Sequence, residues 1–474
     1  MMRFLAMLLL VVLTGCKALG LDYFRPQPKL PATYSEKNES QAQAQIMRAW
    51  WAHFNDTKLS ELVDSALKNN PNVQLATARI AEADAYLRET GSYLLPEVYL
   101  SADTTRSKVT ELGAFPVFVS PIRNNYQLGL DTSYEIDFWG ELKRNKEAAF
   151  ANAQAARQAK EVTDLTLVGL VTGNYLQIRG LDAQITLTEQ NIASRKHSLV
   201  LTQRRLAGGV ASALEVSQAE TAYSNLMAQQ IELKRLRGIA LHQLAILTGV
   251  LDLQLDAVDI RQLPLPPEPP SGLPSDLLEN RPDIRQAEQQ LVAQNAKIGV
   301  AKAALYPNIT LTGQYGFESL KLRDLMKSGA RIWTLGLGLD LPIFDYGRRK
   351  ARVEGAEARE KQALAQYQIA IQNAFKEVND ALITRRLNLE REQVLQQSER
   401  SAKVALTVAE NRYKSGYSSY LEVLDAQRVY HEAALNAVQA RQGSLLASVE
   451  LFKALGGDWR PAEPVKLSVP EVQP

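Results

Sequence analysis

The chain contains a long stretch of itself twice. Arg412 to Tyr430, RYKSGYSSYLEVLDAQRVY, has a weaker copy at Arg205 to Tyr223, RLAGGVASALEVSQAETAY, and both carry a glycine followed by Leu-Glu-Val. Placing Leu421-Glu422-Val423 on Leu214-Glu215-Val216 defines a shift of 207 residues, which also puts Gly416 on Gly209, Gly347 on Gly140 and Gly456 on Gly249. Upstream the shift becomes 211, with Pro282 on Pro71 and Pro307 on Pro96, so the first copy is four residues longer between Pro96 and Gly140. A duplication of this length constrains the architecture more than any local propensity does.

Each copy opens with a helix. Leu59, Leu62, Val63, Ala66 and Leu67 have helical spacing up to the stop at Asn69-Asn70-Pro71, and a second helix is expected from about 73 to 93, ended by Pro96. Alternation then replaces helical spacing at 98–108, 125–137, 308–317 and 331–341. Each stretch is about ten residues, the length of a tilted transmembrane β-strand. Four strands cannot close a barrel, since the smallest have about eight, and lipid tolerates no open sheet edge. Strands of this kind in a membrane must be pooled by several chains, and three chains would supply twelve. Alternation by itself is met equally well by two soluble hairpins on a helical body.

The steps Trp139-Gly140 and Tyr346-Gly347 lead into proline-free helical stretches, 141–206 and 348–413. Some 65 residues at 1.5 Å each give a rod of roughly 100 Å, which no compact domain accommodates. Ile178, Ile185, Ile192, Leu199 and Leu206 recur every seven residues, the seam of a coiled coil. Gly208-Gly209 and Gly416 break the rods, and returning helices are expected over 212–247 and 418–455. There Leu226, Leu233, Ala240 and Leu247, and Leu424, His431, Val438, Leu445 and Phe452, repeat at the same interval. The expected organisation is a segment 16–70, a first repeat 71–249 with β-hairpin 98–137 and helical hairpin 141–247, and a proline-rich connector 250–281. A second repeat 282–456 follows, with β-hairpin 308–341 and helical hairpin 348–455, and then an arm 457–474. Residues 30 to 70, the connector and the arm are expected to form a belt around the helices.

The N-terminus sets the compartment. Residues 1–15 have a basic Arg3 and an apolar run from Phe4 to Leu13, too short to span a bilayer and suited to a cleavable signal. Leu13-Thr14-Gly15-Cys16 resembles the bacterial lipoprotein box, which implies lipid attachment, palmitate included, at Cys16, the only cysteine in the chain. Lys17 stands where an inner-membrane retention signal carries Asp, so the implied destination is the outer membrane of a Gram-negative cell. A net charge of +2 without clustering argues against a nucleic-acid partner. The four histidines are scattered, no metal-ligand spacing or phosphate loop occurs, and neither a cofactor nor enzymatic activity is expected.

Taken together, the lipobox, WWAHF, the LLP and LYP turns, YEIDFWG, RPDI, LPIFDYG and RYKSGYSSYLEVLDAQ resemble the TolC-like outer-membrane factors, in particular their lipidated OprM-like branch. The resemblance covers nearly the whole mature chain. It implies a mixed α+β membrane protein: a homotrimer whose twelve-stranded barrel, four strands per chain, crosses outer-membrane lipid and continues into a periplasmic α-helical barrel. Such a trimer is the exit duct of a tripartite efflux pump with a periplasmic adaptor (membrane fusion) protein and an inner-membrane RND-type transporter. A structural or adhesive coiled-coil lipoprotein without a transport role, and a lipid-anchored periplasmic enzyme, are the competing classes.

Long rods that begin where membrane-length strands end place the glycine tips at the far, periplasmic end, where helices from all subunits converge. Leu421 and Asp425 share one helix face, with Glu422 beside them and Arg428 a turn beyond Asp425. Threefold symmetry would gather the acids into a self-repelling, cation-attracting ring. Positions matching Leu421, Asp425 and Arg428 belong to the closed constriction of the OprM-like branch, and positions matching Glu422, Asp425 and Tyr413 belong to the tip of TolC. The arginine that TolC carries at its tip gate is Ser418 here, and Gln218 stands in the first copy where Asp425 stands in the second. Without the resemblance, Glu422 and Asp425 read first as a solvated helix face, as charges on a helix usually do. Arg205, Gly208, Gly209, Arg412 and Gly416 mark the tips as the adaptor-docking surface. Phe115, Pro116, Phe118 and Pro121, in the loop 109–124, are candidates for narrowing an outer mouth.

Overall fold

The structure, a computed structural model, describes residues 18–27, 30–31, 33–34, 49–112, 120–267 and 280–457. The signal segment with Cys16, the loop residues Phe115, Pro116 and Phe118, much of the connector and the arm beyond Gly457 lie outside the described residues. Among the described residues, seven α-helices and four strands follow in the order α1 (Thr57–Asn69), α2 (Pro71–Ser92), β1 (Glu97–Lys108), β2 (Ile122–Glu135), α3 (Glu141–Ala207), α4 (Ala213–Thr248), α5 (Pro282–Ala303), β3 (Asn308–Ser319), β4 (Arg331–Asp340), α6 (Arg348–Lys414) and α7 (Tyr420–Ala454). The repeat is visible in the backbone. Gly140 and Gly347, Gly209 and Gly416, and Gly249 and Gly456 all have φ between +72° and +93°, the left-handed region in which a side chain is strained.

The chain packs as two units. One comprises Met1–Gln27, Arg79–Arg157 and Gln286–Gln368. Its four strands form one antiparallel sheet in the order β1-β2-β3-β4. The register Leu100↔Leu130, Leu130↔Tyr315 and Tyr315↔Trp333 places these residues on one face. Period-two alternation adds Val98, Leu128, Tyr134, Leu311, Leu335, Leu337 and Leu339 to that face. It is bare in the isolated chain: Trp333, Leu335, Leu337 and Leu339 are 76, 71, 72 and 68% exposed. The opposite face is polar, with Ser101 Oγ donating to Asp131 Oδ2 at 2.5 Å and Asn125 Nδ2 to Glu318 Oε1 at 2.9 Å. Among the described residues, the outer edges of β1 and β4 have no neighbouring strand.

Each sheet-to-helix step is closed by an aspartate, displaced by one position between the copies. Asp137 accepts from the amides of Leu142 and Lys143 at 3.0 and 2.9 Å, and Asp345 from those of Gly347 and Arg349 at 3.0 and 3.1 Å. In the same unit the N-terminal segment lies as a strap across two glycines. Ala18 packs where Gly140 has no side chain, and a Cβ on Gly299 would stand 2.7 Å from the Leu19 carbonyl. Arg144, 5% exposed, donates to the Leu19 carbonyl at 3.2 Å and to Asp22 at 2.8 Å, while Arg25 pairs with Glu288 at 2.7 Å.

The other unit comprises Pro28–Ala78, Gln158–Arg285 and Ile369–Pro474 and carries the main core. Trp50 and Phe54 of the WWAHF segment join Leu59, Leu62 and Val63 of α1, Val171, Tyr175 and Ile178 of α3, Leu244 of α4 and Val438, Leu445 and Phe452 of α7. Trp50 stacks on Phe452 at 5.2 Å between ring centroids. The seven-residue repeats supply this packing: Ile178, Leu233, Ala240, Val438, Leu445 and Phe452 are buried. Toward its tip the α3 seam loosens, with Leu206 39% exposed.

Candidate functional site

The two helix tips are built alike. Val210 N donates to the Arg205 carbonyl and Gly209 N to that of Leu206, each at 2.9 Å. In the second copy Tyr417 N donates to the Arg412 carbonyl at 2.9 Å and Gly416 N to that of Tyr413 at 3.0 Å. This paired pattern ends a helix with a left-handed residue, hence the glycines. Gly208 lies outside the left-handed region, and its counterpart in the second copy is Ser415. The return helices start from serine: Ser212 Oγ accepts from Glu215 N at 3.3 Å, and Ser419 precedes α7, which begins two residues later than the expected 418.

Beneath the tips lies a small core of Ala219, Ala409, Tyr413, Tyr420 and Val423. The Tyr413 and Tyr420 rings sit 5.7 Å apart, and the Arg205 guanidinium covers the Tyr413 ring at 4.8 Å. Tyr413 is therefore enclosed, 6% exposed, and does not share the open face of Leu421, which is 59% exposed. Burial raises both tyrosine hydroxyls above their ordinary range, opposed by Arg205 at Tyr413 and by Arg195 at Tyr420. Sequence reasoning missed Arg195, a buried arginine on α3 at this point.

The acids in the tip half of α7 each have an arginine within the same chain. Arg428 reaches Asp425 at 2.9 Å and Glu432 at 3.5 Å, and Arg412 reaches across the tip to Glu422 at 3.7 Å. All these side chains are at least half exposed, so each pair is worth only about 0.2–1 kcal/mol. Leu421, Asp425, Arg428 and Glu432 line one wall of a groove of about 760 Å³ between α4 and α7. The facing wall presents Gln218, Thr221 and Asn225. These are the counterparts of Asp425, Arg428 and Glu432 under the 207-residue shift. The duplication has thus produced one groove with a charged wall and a neutral wall. Carrying the shift beyond Gln218 would have found Thr221, Asn225 and Glu432 from sequence. Farther along, His431 Nε2 meets Gln229 Oε1 at 3.2 Å, and burial, aided by Arg195, lowers the imidazole pKa so that the neutral ring is favoured.

Within the same unit, Asp182 on α3, 3% exposed, is the hub of a buried lock. It pairs with Arg237 of α4 at 2.5 Å and with Arg179 at 3.3 Å, and accepts from Val258 N at 3.4 Å. Arg179 donates to the Asp256 carbonyl and to Tyr175 Oη, and Arg237 donates to the Leu255 carbonyl. Tyr175 donates in turn to Asp56, the residue that caps α1. Three charged side chains thereby fasten the segment 255–258 and the start of α1 onto the long helices.

The sequence model of the family described as "Outer membrane efflux protein" matches residues 62–250 and 273–457, one match on each copy. The chain is 35% identical over 460 residues to the outer membrane protein OprJ of Pseudomonas aeruginosa, covering 95% of each chain. It is 32% identical to the toluene efflux pump outer membrane protein TtgI of Pseudomonas putida, covering 96% of this chain and 98% of that one. The solved Campylobacter jejuni CmeC outer membrane channel superposes with a TM-score of 0.86 at 27% identity, covering 94% of this chain and 96% of that chain.

Proposed function

Because the chain belongs to the outer membrane efflux protein family, we propose that three copies pool their strands into a twelve-stranded barrel continuous with a periplasmic helical duct. The fold is that of a TolC-like outer-membrane channel, mostly helical with a small sheet, and the protein is a transport channel of the outer membrane and not an enzyme. The observation that supports pooled strands is the sheet: one face apolar and bare, the other polar, and, among the described residues, both edges open. Lipid against the apolar face, water against the polar face and a neighbour's strand at each edge satisfy all three conditions at once. A structural or adhesive lipoprotein needs no polar inner face.

In this reading the duct passively conducts drugs or other toxic compounds delivered by an RND-type inner-membrane transporter through a periplasmic adaptor. A relative named for toluene efflux supports cargo of that class. Cys16 carries the lipid, two positions before Ala18 in the chain, the residue that packs where Gly140 has no side chain. The tips around Arg205, Gly208, Gly209, Arg412 and Gly416 receive the adaptor.

The periplasmic end is the gate. Leu421, Glu422, Asp425 and Arg428 stand on the exposed face of α7 near its tip, and Tyr413 serves from beneath by holding α6 and α7 together. In one chain these ion pairs lie along α7 or across its own tip, and in the closed trimer Arg428 exchanges its partner for an acid of the neighbouring copy. If each such contact contributes about 1 kcal/mol, breaking the set of three moves the opening equilibrium by up to about 100-fold. The double variant Asp425→Ala, Arg428→Ala is expected to conduct more than the parent in planar bilayers. Unchanged conductance would remove this pair from the gate while leaving the barrel intact.

A further inference from the structure

The loop end of the sheet carries a charge pattern that conducting cargo does not explain. On the apolar face, Arg106 and Lys108 finish β1 and Arg331 begins β4, with Lys321, Arg323 and Lys327 in the turn between β3 and β4. All six are exposed. Arg323 and Lys327 share Asp324, at 3.9 and 2.6 Å, whereas Arg106, Lys108, Lys321 and Arg331 have no carboxylate partner among the described residues. Glu318, the acid nearest this end of β3, points to the polar face, where Asn125 holds it. Directly below the cations, on their own face, lie Tyr126, Tyr315, Phe317 and Trp333. At the other end, the charged residues closing the strands are Glu97, Glu135 and Asp340, and none of these strand ends carries a lysine or arginine.

A belt of aromatics marks a membrane–water interface, and a belt of unpaired cations just beyond it, on the lipid side, faces whatever headgroups lie there. Lysine and arginine stems can lie along apolar surface while their heads reach outward, and phosphate is the anion that arginine and lysine recognise with charge-assisted hydrogen bonds. We propose that this rim binds the phosphate groups of a phosphorylated glycolipid in the outer leaflet, fixing the depth of the barrel and its lipid shell. The proposal rests on the barrel reading above, with the hairpin turns on the outer side.

The test uses the full-length lipidated protein purified in detergent and titrated with fluorescent lipid A, with enzymatically dephosphorylated lipid A and inorganic phosphate as separate arms. The variant Arg106→Gln, Lys108→Gln, Lys321→Gln, Arg331→Gln is expected to bind lipid A at least tenfold more weakly, with its pore conductance retained. The parent is expected to prefer lipid A over the dephosphorylated form by a similar factor, and to lose binding as salt rises. Equal binding by parent and variant, equal binding of the dephosphorylated lipid, or inorganic phosphate competing at the same phosphate concentration would each overturn the proposal. A parent that forms no pore would instead overturn the barrel reading.

Discussion

Replacing Leu337 by arginine is expected to abolish stable insertion of the channel, with the variant recovered as unassembled chains. Leu337 lies midway along β4, opposite Leu311, and is 72% exposed on the apolar face. Arginine at the bilayer midplane of a barrel costs about 2 to 4 kcal/mol, on the order of 6 to 12 kcal/mol for three copies. Its neighbour Gly338 is on the polar face, where an added Cβ would stand 3.7 Å from the Thr310 carbonyl, so Gly338→Ser is the matched control: it adds a small polar side chain to the polar wall without a clash. The two variants differ by one position along the strand and by the side of the sheet they address. Heat-resistant oligomer on gels reads the outcome. Equal tolerance of both would mean that Leu337 does not face lipid.

Asp182→Ala is expected to be the most damaging single change away from the sheet. It removes the one carboxylate that, among the described residues, pairs with Arg179, 3% exposed, and leaves that guanidinium enclosed with a backbone carbonyl and a tyrosine. Breaking a buried pair by deleting one partner costs about 3 to 5 kcal/mol. The loss should be local at first: segment 255–258 is tied to Asp182, Arg179 and Arg237 by backbone hydrogen bonds, and its amides should exchange much faster with solvent. Glu432→Ala, which removes an exposed carboxylate 3.5 Å from Arg428, is the control and should change stability by less than about 0.5 kcal/mol. Amide exchange and thermal unfolding that cannot tell the two variants apart would show that the lock does not hold the segment.

What was legible in the sequence follows from which physical demands leave a residue-type signature. A left-handed backbone asks for glycine, so the pairs Gly140 and Gly347, Gly209 and Gly416, and Gly249 and Gly456 mark equivalent turns by residue type alone. A sheet with one apolar face asks for alternation, and β3 and β4 begin at Asn308 and Arg331, where alternation starts. Pairings that depend on three-dimensional approach left no such trace. Nothing in the repeat implies that Glu422 meets Arg412 across a turn, or that Tyr413 is enclosed while Leu421 stays open. The duplication also misleads where the copies have diverged. It assigns Leu389 to the position of Asp182, so the second copy cannot repeat that lock; its long helices are instead joined by Glu392 and Arg441 at 3.2 Å, with Arg441 donating to the Leu263 carbonyl. The shift likewise puts Phe344 on Asp137, although each sheet-to-helix step does have its own capping aspartate one position away.

In the proposed trimer the free edges of the sheet belong to neighbouring subunits, with β4 of one copy against β1 of the next. Within one chain β1 and β4 are the two outer strands of four, too few to close a barrel on themselves, so they meet only through further copies. Cysteines introduced in pairs at polar-face positions, one on β1 (Ser101 or Thr105) and one on β4 (Thr334 or Gly338), read this contact directly after oxidation in native membranes. A covalent ladder ending at three chains, reversible by reductant, is the predicted result. If every pair leaves the chains at monomer mass in correctly inserted protein, the strands are not shared and the duct built on them does not exist.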